Sequence, residues 1–214
     1  MTTASRRRPT VRALLISLLV IAVVVLGAVA VVVIPIFTHQ SAGLSGQVVP
    51  DSYVSRDSAR GEDGRNRTVE VRSASGDELD MSALKPGDRI VVTGSGFDAG
   101  IGIYVGFCAI PATPDVKPGP CLGGLPEGAM DGEVDAEDPL ASAWVTSDWA
   151  WKSFATHSYL DTKAGTFEVV LTVPEATSEG VDCNVDRCAV TTRSDHTAAS
   201  DRVQDILLPY GYAK

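Results

Sequence analysis

From Ala13 to Phe37 the chain runs for 25 residues without a charged side chain, and no other segment restricts the fold so strongly. A helix rises about 1.5 Å per residue, so the run spans roughly 37 Å, more than a hydrocarbon core of about 30 Å. In lipid a backbone must satisfy its own polar groups, which a single helix does. Pro35 stands near the end of the run, where a helix can stop. Arg6, Arg7, Arg8 and Arg12 precede it, and no basic residue follows before Arg56. The positive-inside rule then keeps residues 1–12 in the cytoplasm as a basic tail, makes 13–37 a signal-anchor helix and exports the rest. The expected location is the cell membrane, single-pass, with the bilayer as partner through residues 13–37. A cleaved signal peptide competes, because Ala28-Val29-Ala30 has the form of a small-residue cleavage site. Cleavage there would leave the mostly apolar Val31–Phe37 as a mature N-terminus, which favours the uncleaved anchor. No Cys follows the run directly to accept a lipid, and the surroundings of Arg6-Arg7 fit a twin-arginine signal poorly.

Beyond the anchor the charge balance changes. Four of the 18 basic residues precede the run and none of the 27 acidic ones does, so the exported part carries a net charge of −13. That balance disfavours nucleic acid and anionic headgroups as partners. All four cysteines, Cys108, Cys121, Cys183 and Cys188, are in the exported part. An even number outside the cell reads as two disulfides. Zinc is the competing use, but the one close pair, Cys183 and Cys188, has no second close pair beside it.

Residues 38–67 are polar, carry Gly and Ser and lack periodicity, which predicts a flexible linker. After them short strand signals recur in TVEVRS, RIVVTG, GIYVGFCAI, SAWVTS, TFEVVLTV, CAVTTR and QDILLPYGYA. Each is rich in Val, Ile, Thr or aromatic residues, and most are separated by Gly, Pro or Asp clusters. No amphipathic helical pattern follows the anchor. Seven short strands over residues 68–214 predict an all-β sandwich with one core, extended by an insert around 111–165.

Several stretches suggest chemistry. Gly94-Ser95-Gly96-Phe97-Asp98-Ala99-Gly100 has the glycines of a dinucleotide loop, but the wrong spacing, and a strand rather than a helix follows. It reads as a turn. Asp131, Glu133, Asp135 and Glu137 alternate, and calcium takes such oxygen donors. Ala136 and Ser142 stand where an EF-hand loop needs Gly and Glu, so a solvated acidic loop is the plainer reading and no metal is assigned. Cys108, Trp144 and Cys183 imitate the inter-sheet Cys-Trp-Cys of antibody domains, although the Trp is far from the first Cys, and that pairing stays open. Trp149 and Trp151 would share one face of an extended chain, with Phe154, His157 and Tyr159 close behind. Exposed flat rings suit a sugar or a small apolar ligand, and burial in the insert is the alternative.

Asp195 and His196 provide an acid and a base without a nucleophile elbow anywhere in the chain. They read as the wiring of a turn, in which Asp195 and Thr197 bond nearby backbone N–H groups and Arg202 pairs with the neighbours of Asp201 or with Asp205, or as ligand contacts.

The stretch GSGFDAGIGIYVGFCAIP resembles the neocarzinostatin-type domain of actinobacteria. The resemblance is specific at Gly94-Ser95-Gly96-Phe97 leading into Tyr104-Val105-Gly106-Phe107-Cys108-Ala109, at Val181-Asp182-Cys183 with Cys188, and at the strand Phe167–Val173. It covers about residues 85–213 and is patchy inside 111–165. It implies a seven-stranded immunoglobulin-like sandwich with bridges Cys108–Cys121 and Cys183–Cys188. Membrane-anchored surface proteins of actinobacteria carry similar domains, with the pattern Cys188 to Arg193, Asp195-His196-Thr197, Asp201-Arg202 and Gln204-Asp205. Antibiotic-carrying members hold an apolar chromophore in a cleft. Ile110-Pro111 replaces an aromatic there and Ser194-Asp195 is out of register, so only the cleft's location carries over.

These readings point to a membrane-anchored extracytoplasmic binding or interaction domain without catalytic residues or cofactor. Trp149, Trp151, Phe154, Tyr159, Asp195 and His196 are its candidate ligand contacts. The partner is a membrane protein, the cell wall, or a small apolar or sugar ligand. An accessory subunit of a membrane or envelope assembly and an envelope hydrolase are the alternatives.

Overall fold

The computed structural model describes residues 8–123 and 140–213, and these fall into two units, one up to His39 and one from Gln40 onward. The first is the helix α1, Arg8–Thr38, which continues through Pro35 into its last turn. Thr38 Oγ1 donates to the Ile34 carbonyl at 2.8 Å, occupying an acceptor that the missing amides of a helix end leave open. From Val11 the helix is long and apolar enough to cross a membrane.

The second unit is all-β. Its strands are β1 (Arg56–Arg60), β2 (Asn66–Ser73), β3 (Arg89–Ser95), β4 (Ile103–Ala109), β5 (Ser142–Val145), β6 (Phe167–Thr172), β7 (Thr177–Ser178), β8 (Val181–Asp182), β9 (Cys188–Ser194) and β10 (Ile206–Tyr210). Two four-stranded antiparallel sheets have the orders β1-β2-β3-β6 and β10-β9-β4-β5, and β7 and β8 form a separate hairpin. Each of the seven expected segments contains a strand. Three further strands, β1, β7 and β8, bring the number to ten among the described residues.

Alternation drives the assembly. Val69, Val71, Ile90, Val92, Phe167, Val169 and Leu171 point from the first sheet into the core that Ile103, Val105, Phe107, Val145, Val190, Ile206 and Leu208 fill from the second. Fully burying a side chain of this kind contributes about 1.5–3 kcal/mol. Phe97 and Phe167 meet edge to face at 5.1 Å, and so do Phe107 and Tyr210 at 5.5 Å. Disulfides join Cys108 to Cys121 and Cys183 to Cys188.

Residues 38–67 are not the expected linker. The Ala42 N–H donates to Asp201 Oδ2 at 3.1 Å, and Leu44 bridges Arg202. The Gln47 side chain pairs with the edge of β10, Nε2 donating to the Leu207 carbonyl and Oε1 accepting from the Leu207 N–H, both at 2.8 Å. β1 adds to β2 with Arg56 opposite Glu70. The compact unit therefore begins near residue 40. The segment is polar because it lies along edges, where one side of each residue meets water.

Arg67, also within that expected linker, is fully buried. Its Nε donates to Gln204 Oε1 at 2.9 Å and its Nη1 and Nη2 to the two oxygens of Asp63 at 2.9 and 2.6 Å. The guanidinium hydrogen bond holds the Asp63 carboxyl below its ordinary value. Gln204 also accepts from the Asp98 N–H and donates to the Asp98 carbonyl, both at 3.0 Å. Asp63 keeps contact with water, but Gln204 is enclosed and loses a buried donor when Arg67 is removed, which costs about 1–3 kcal/mol. Arg67→Ala is expected to lower the unfolding free energy by at least about that amount in urea titration of the full-length chain, and a loss below about 1 kcal/mol would contradict this account.

Candidate functional site

The outer face of the second sheet carries the candidate site. Strand register sets Trp144 of β5, Tyr104 of β4 and Arg193 of β9 side by side, because Tyr104 is opposite both neighbours. The Tyr104 and Trp144 rings are 6.0 Å apart, and the Arg193 guanidinium stands 5.9 Å over the Tyr104 ring. The Arg193 Nη1 donates to the Pro118 carbonyl at 2.7 Å, which fixes the 110–118 loop against the sheet. Burial lowers the Arg193 guanidinium from its ordinary value. Burial, followed by repulsion from Arg193 and Arg202, lowers the Lys117 ammonium.

Past the end of β9, Asp195 caps the short 3-10 turn His196–Ala198. It is buried, and both of its oxygens accept hydrogen bonds. Oδ1 accepts from the Thr197 N–H at 2.8 Å and from the Thr197 hydroxyl at 2.6 Å, and Oδ2 accepts from Trp144 Nε1 at 2.9 Å. Gly102 permits this approach, since a Cβ there would collide with Asp195 Oδ2. The turn places His196 over the row of rings. Its Nδ1 shares a hydrogen bond with the Tyr104 hydroxyl at 2.9 Å, and its ring meets Trp144 at 5.1 Å and Trp151 at 5.0 Å, both edge to face. Tyr104, Trp144, Trp151 and His196 thus form one cluster. Burial, followed by the charge of Asp195, raises the Tyr104 hydroxyl.

Asp195 does not orient the His196 ring, whose Nδ1 is partnered by Tyr104 instead. Its role is the turn wiring read from the sequence, and Arg202 Nη1 completes it by donating to Asp205 Oδ2 at 2.9 Å. As a ligand contact Asp195 is a poor choice, for its carboxylate is enclosed and already accepts three hydrogen bonds.

The other candidates separate. Residues 148–155 form a helical turn, the Lys152 N–H donating to the Asp148 carbonyl at 2.8 Å and the Asp148 side chain accepting from the Ala150 N–H at 2.8 Å. Trp149 and Trp151 therefore do not share a face. Trp151 turns in to His196, whereas Trp149 and Phe154 are 67% and 73% exposed. Tyr159 is a core residue rather than a ligand contact, its hydroxyl donating to the Ile101 carbonyl at 3.0 Å. Tyr104 and Arg193, absent from the set expected from the sequence, belong to the site. Their shared register with Trp144 is a property of strand pairing, which no local motif encodes. The acidic run Asp131, Glu133, Asp135 and Glu137 lies outside the described residues. Among the described residues no group of three or more His, Cys, Asp or Glu side chains is placed to hold a metal.

Two cavities flank the 110–121 loop. One, of about 290 Å³, is lined by Tyr104, Arg193, the Cys108–Cys121 bridge, Leu122, Leu140 and Ser142. The other, of about 370 Å³, lies between residues 45–49 and the loop, with Asp205 and Leu207 among its lining. A larger hollow of about 820 Å³ between Ser73 and Arg89 has no aromatic lining, and its polar walls include Asp77, Glu78 and Asp80. The first cavity is the one that adjoins the ring cluster. It offers an apolar floor, a flat phenol and one guanidinium, a combination that suits a flat or ring-shaped ligand with an acceptor group. Comparison with family models, curated proteins and solved structures finds no match to this chain.

Asp205 is buried, and burial pushes its carboxyl up to about 7 against the opposing pull of Arg202. Unfolded, the group returns to 3.8. Between those values the folded state holds the extra proton, so this contribution to stability is complete below pH 3.8 and is lost as pH rises toward 7. Stability curves of the wild type and Asp205→Asn over that range should converge or cross in this sense, the wild type losing stability relative to the variant as pH rises. A parallel pair of curves would refute it. Asp195→Ala leaves the Trp144 indole N–H and the Thr197 amide without their acceptor. A loss of about 1–3 kcal/mol is expected, together with a shift of Trp144 emission. An unchanged midpoint and spectrum would show that the carboxylate does not hold the cluster.

Proposed function

We propose that this chain is a membrane-anchored extracytoplasmic binding domain of the immunoglobulin-like, neocarzinostatin type. Its helix is the anchor with the N-terminus in the cytoplasm, and its ligand is a small flat apolar molecule or a sugar ring. The observation that carries the reading is the cluster of Tyr104, Trp144, Trp151 and His196 beside the cavity floored by the Cys108–Cys121 bridge. Aromatic faces with one adjacent cation bind rings through stacking and a fixed polar contact, without needing a reactive group. The immunoglobulin-like reading is supported by the crossings from β3 to β4, β5 to β6 and β6 to β9, which pass between two sheets over a shared core. Export is supported by two disulfides, which persist in oxidising compartments.

Calorimetric titration of the full-length protein in nanodiscs, with empty discs as reference, tests the binding reading. The probes are naphthoate and an N-acetylglucosamine oligosaccharide. Saturable binding of one probe is expected, weakened about tenfold, or 1.4 kcal/mol, by Trp151→Ala. Trp149→Ala, outside the cluster, should leave the affinity in place. If neither probe saturates, or if Trp151→Ala binds as the wild type does, the proposal fails.

A further inference from the structure

We propose that Trp149 and Phe154 dock the turn that carries them onto the lipid–water interface of the membrane held by the chain's own helix. This rests on the anchor reading given above and adds a second attachment, made by the β unit itself.

Both rings are largely exposed, at 67% and 73%, on a turn that is not free to fold them inward. The turn is fixed at its base by Trp151 against His196 and by its backbone bonds to Asp148. Large aromatic side chains displayed this way are costly in water, and burying one contributes about 1.5–3 kcal/mol. Trp in particular partitions to the membrane–water boundary, where its ring is apolar and its N–H stays wet.

The local charge is consistent with a lipid surface. The unit is strongly acidic, yet residues 149–160, WAWKSFATHSYL, contain no Asp or Glu and include Lys152 between the two exposed rings. Asp148, just before them, has its carboxylate engaged by the Ala150 N–H. Lys152 is exposed and can extend its ammonium to the headgroup level while its stem lies along lipid.

The point at which the chain joins the β unit selects the membrane over another partner. Ala42 is bonded to Asp201, the Asp201 N–H is bonded to the Ala198 carbonyl, and the turn His196–Ala198 supports Trp151. The tether therefore attaches at the turn against which the docking loop is built. Three residues, His39–Ser41, separate Ala42 from the last helical residue, so the four steps between them reach roughly 13 Å when extended. A bilayer holding the helix is the surface most available to rings at this end.

The chain's three tryptophans, Trp144, Trp149 and Trp151, are all in this region and none is in the helix, so tryptophan emission reports the loop. The full-length protein is reconstituted into phosphatidylcholine vesicles with or without acyl chains brominated near the headgroup. Bromolipid is expected to quench the emission. Trp149→Phe should remove more than about half of that quenching, and Phe154→Asp should reduce it while leaving the emission of the folded cluster in plain lipid unchanged. Iodide in the aqueous phase should gain access to Trp149 in Phe154→Asp. Protein that floats with the vesicles but is quenched freely by iodide and not by bromolipid overturns the docking alone. Protein that does not float overturns the anchor reading and this proposal together.

Discussion

A guanidinium removed from water has to be paired on every side, and at Arg67 that requirement organises the unit. Asp63 holds one edge of the group and Gln204 the other, while Gln204 is held in turn by both backbone groups of Asp98. Three distant parts of the chain thus meet at one buried point. The start of β2, the turn after β3 and the approach to β10 cannot shift independently. Breaking any one of these contacts leaves a polar group stranded in the core. The Arg67 guanidinium also lies 6.0 Å over the Phe97 ring, so the polar junction and the apolar core share a wall.

The site follows from that arrangement. With the turn after β3 fixed, Gly102 sets its carbonyl and its bare Cα against Asp195, and Asp195 can then reach Trp144 across the sheet. His196 is carried to its place by the next residue of the same turn. The ring cluster is accordingly a product of backbone positions on β4, on β5 and on the turns that follow β5 and β9, not of a single loop. Its rings are preorganised by the fold, which limits the ordering entropy that a ligand would otherwise have to overcome.

Much of this architecture is legible in the order of residues alone. Alternation marks β2 and β6, because strands buried on one face repeat every second residue, while β3, β4 and β9 show as short runs rich in Val, Ile, Thr or aromatic residues that are buried nearly throughout. β1 is hidden because Arg56-Asp57-Ser58-Ala59-Arg60 has no apolar alternation, and an edge strand does not need one. The polar stretch from residue 40 is hidden for a similar reason, since its partners Asp201 and Leu207 are some 160 positions away. Asp195 as a turn former is readable from its neighbours. The place of His196 is not, because its partner Tyr104 is 92 positions distant and only register brings them together. The tryptophans mislead in a different way. The local spacing of Trp149 and Trp151 fits a strand, but Asp148 starts a helical turn and sends the two rings to opposite environments.

The pairing of the Gln47 side chain with Leu207 has a consequence beyond holding the first residues of the unit. An open strand at the margin of a sheet presents unpaired amide and carbonyl groups that can recruit a like strand from another molecule. At Leu207 both groups are occupied by one carboxamide, which imitates a peptide bond but cannot propagate as a strand. The margin is thereby closed with a stopper instead of another strand. Wherever copies of the chain meet, that closure protects β10 from growing into a shared sheet.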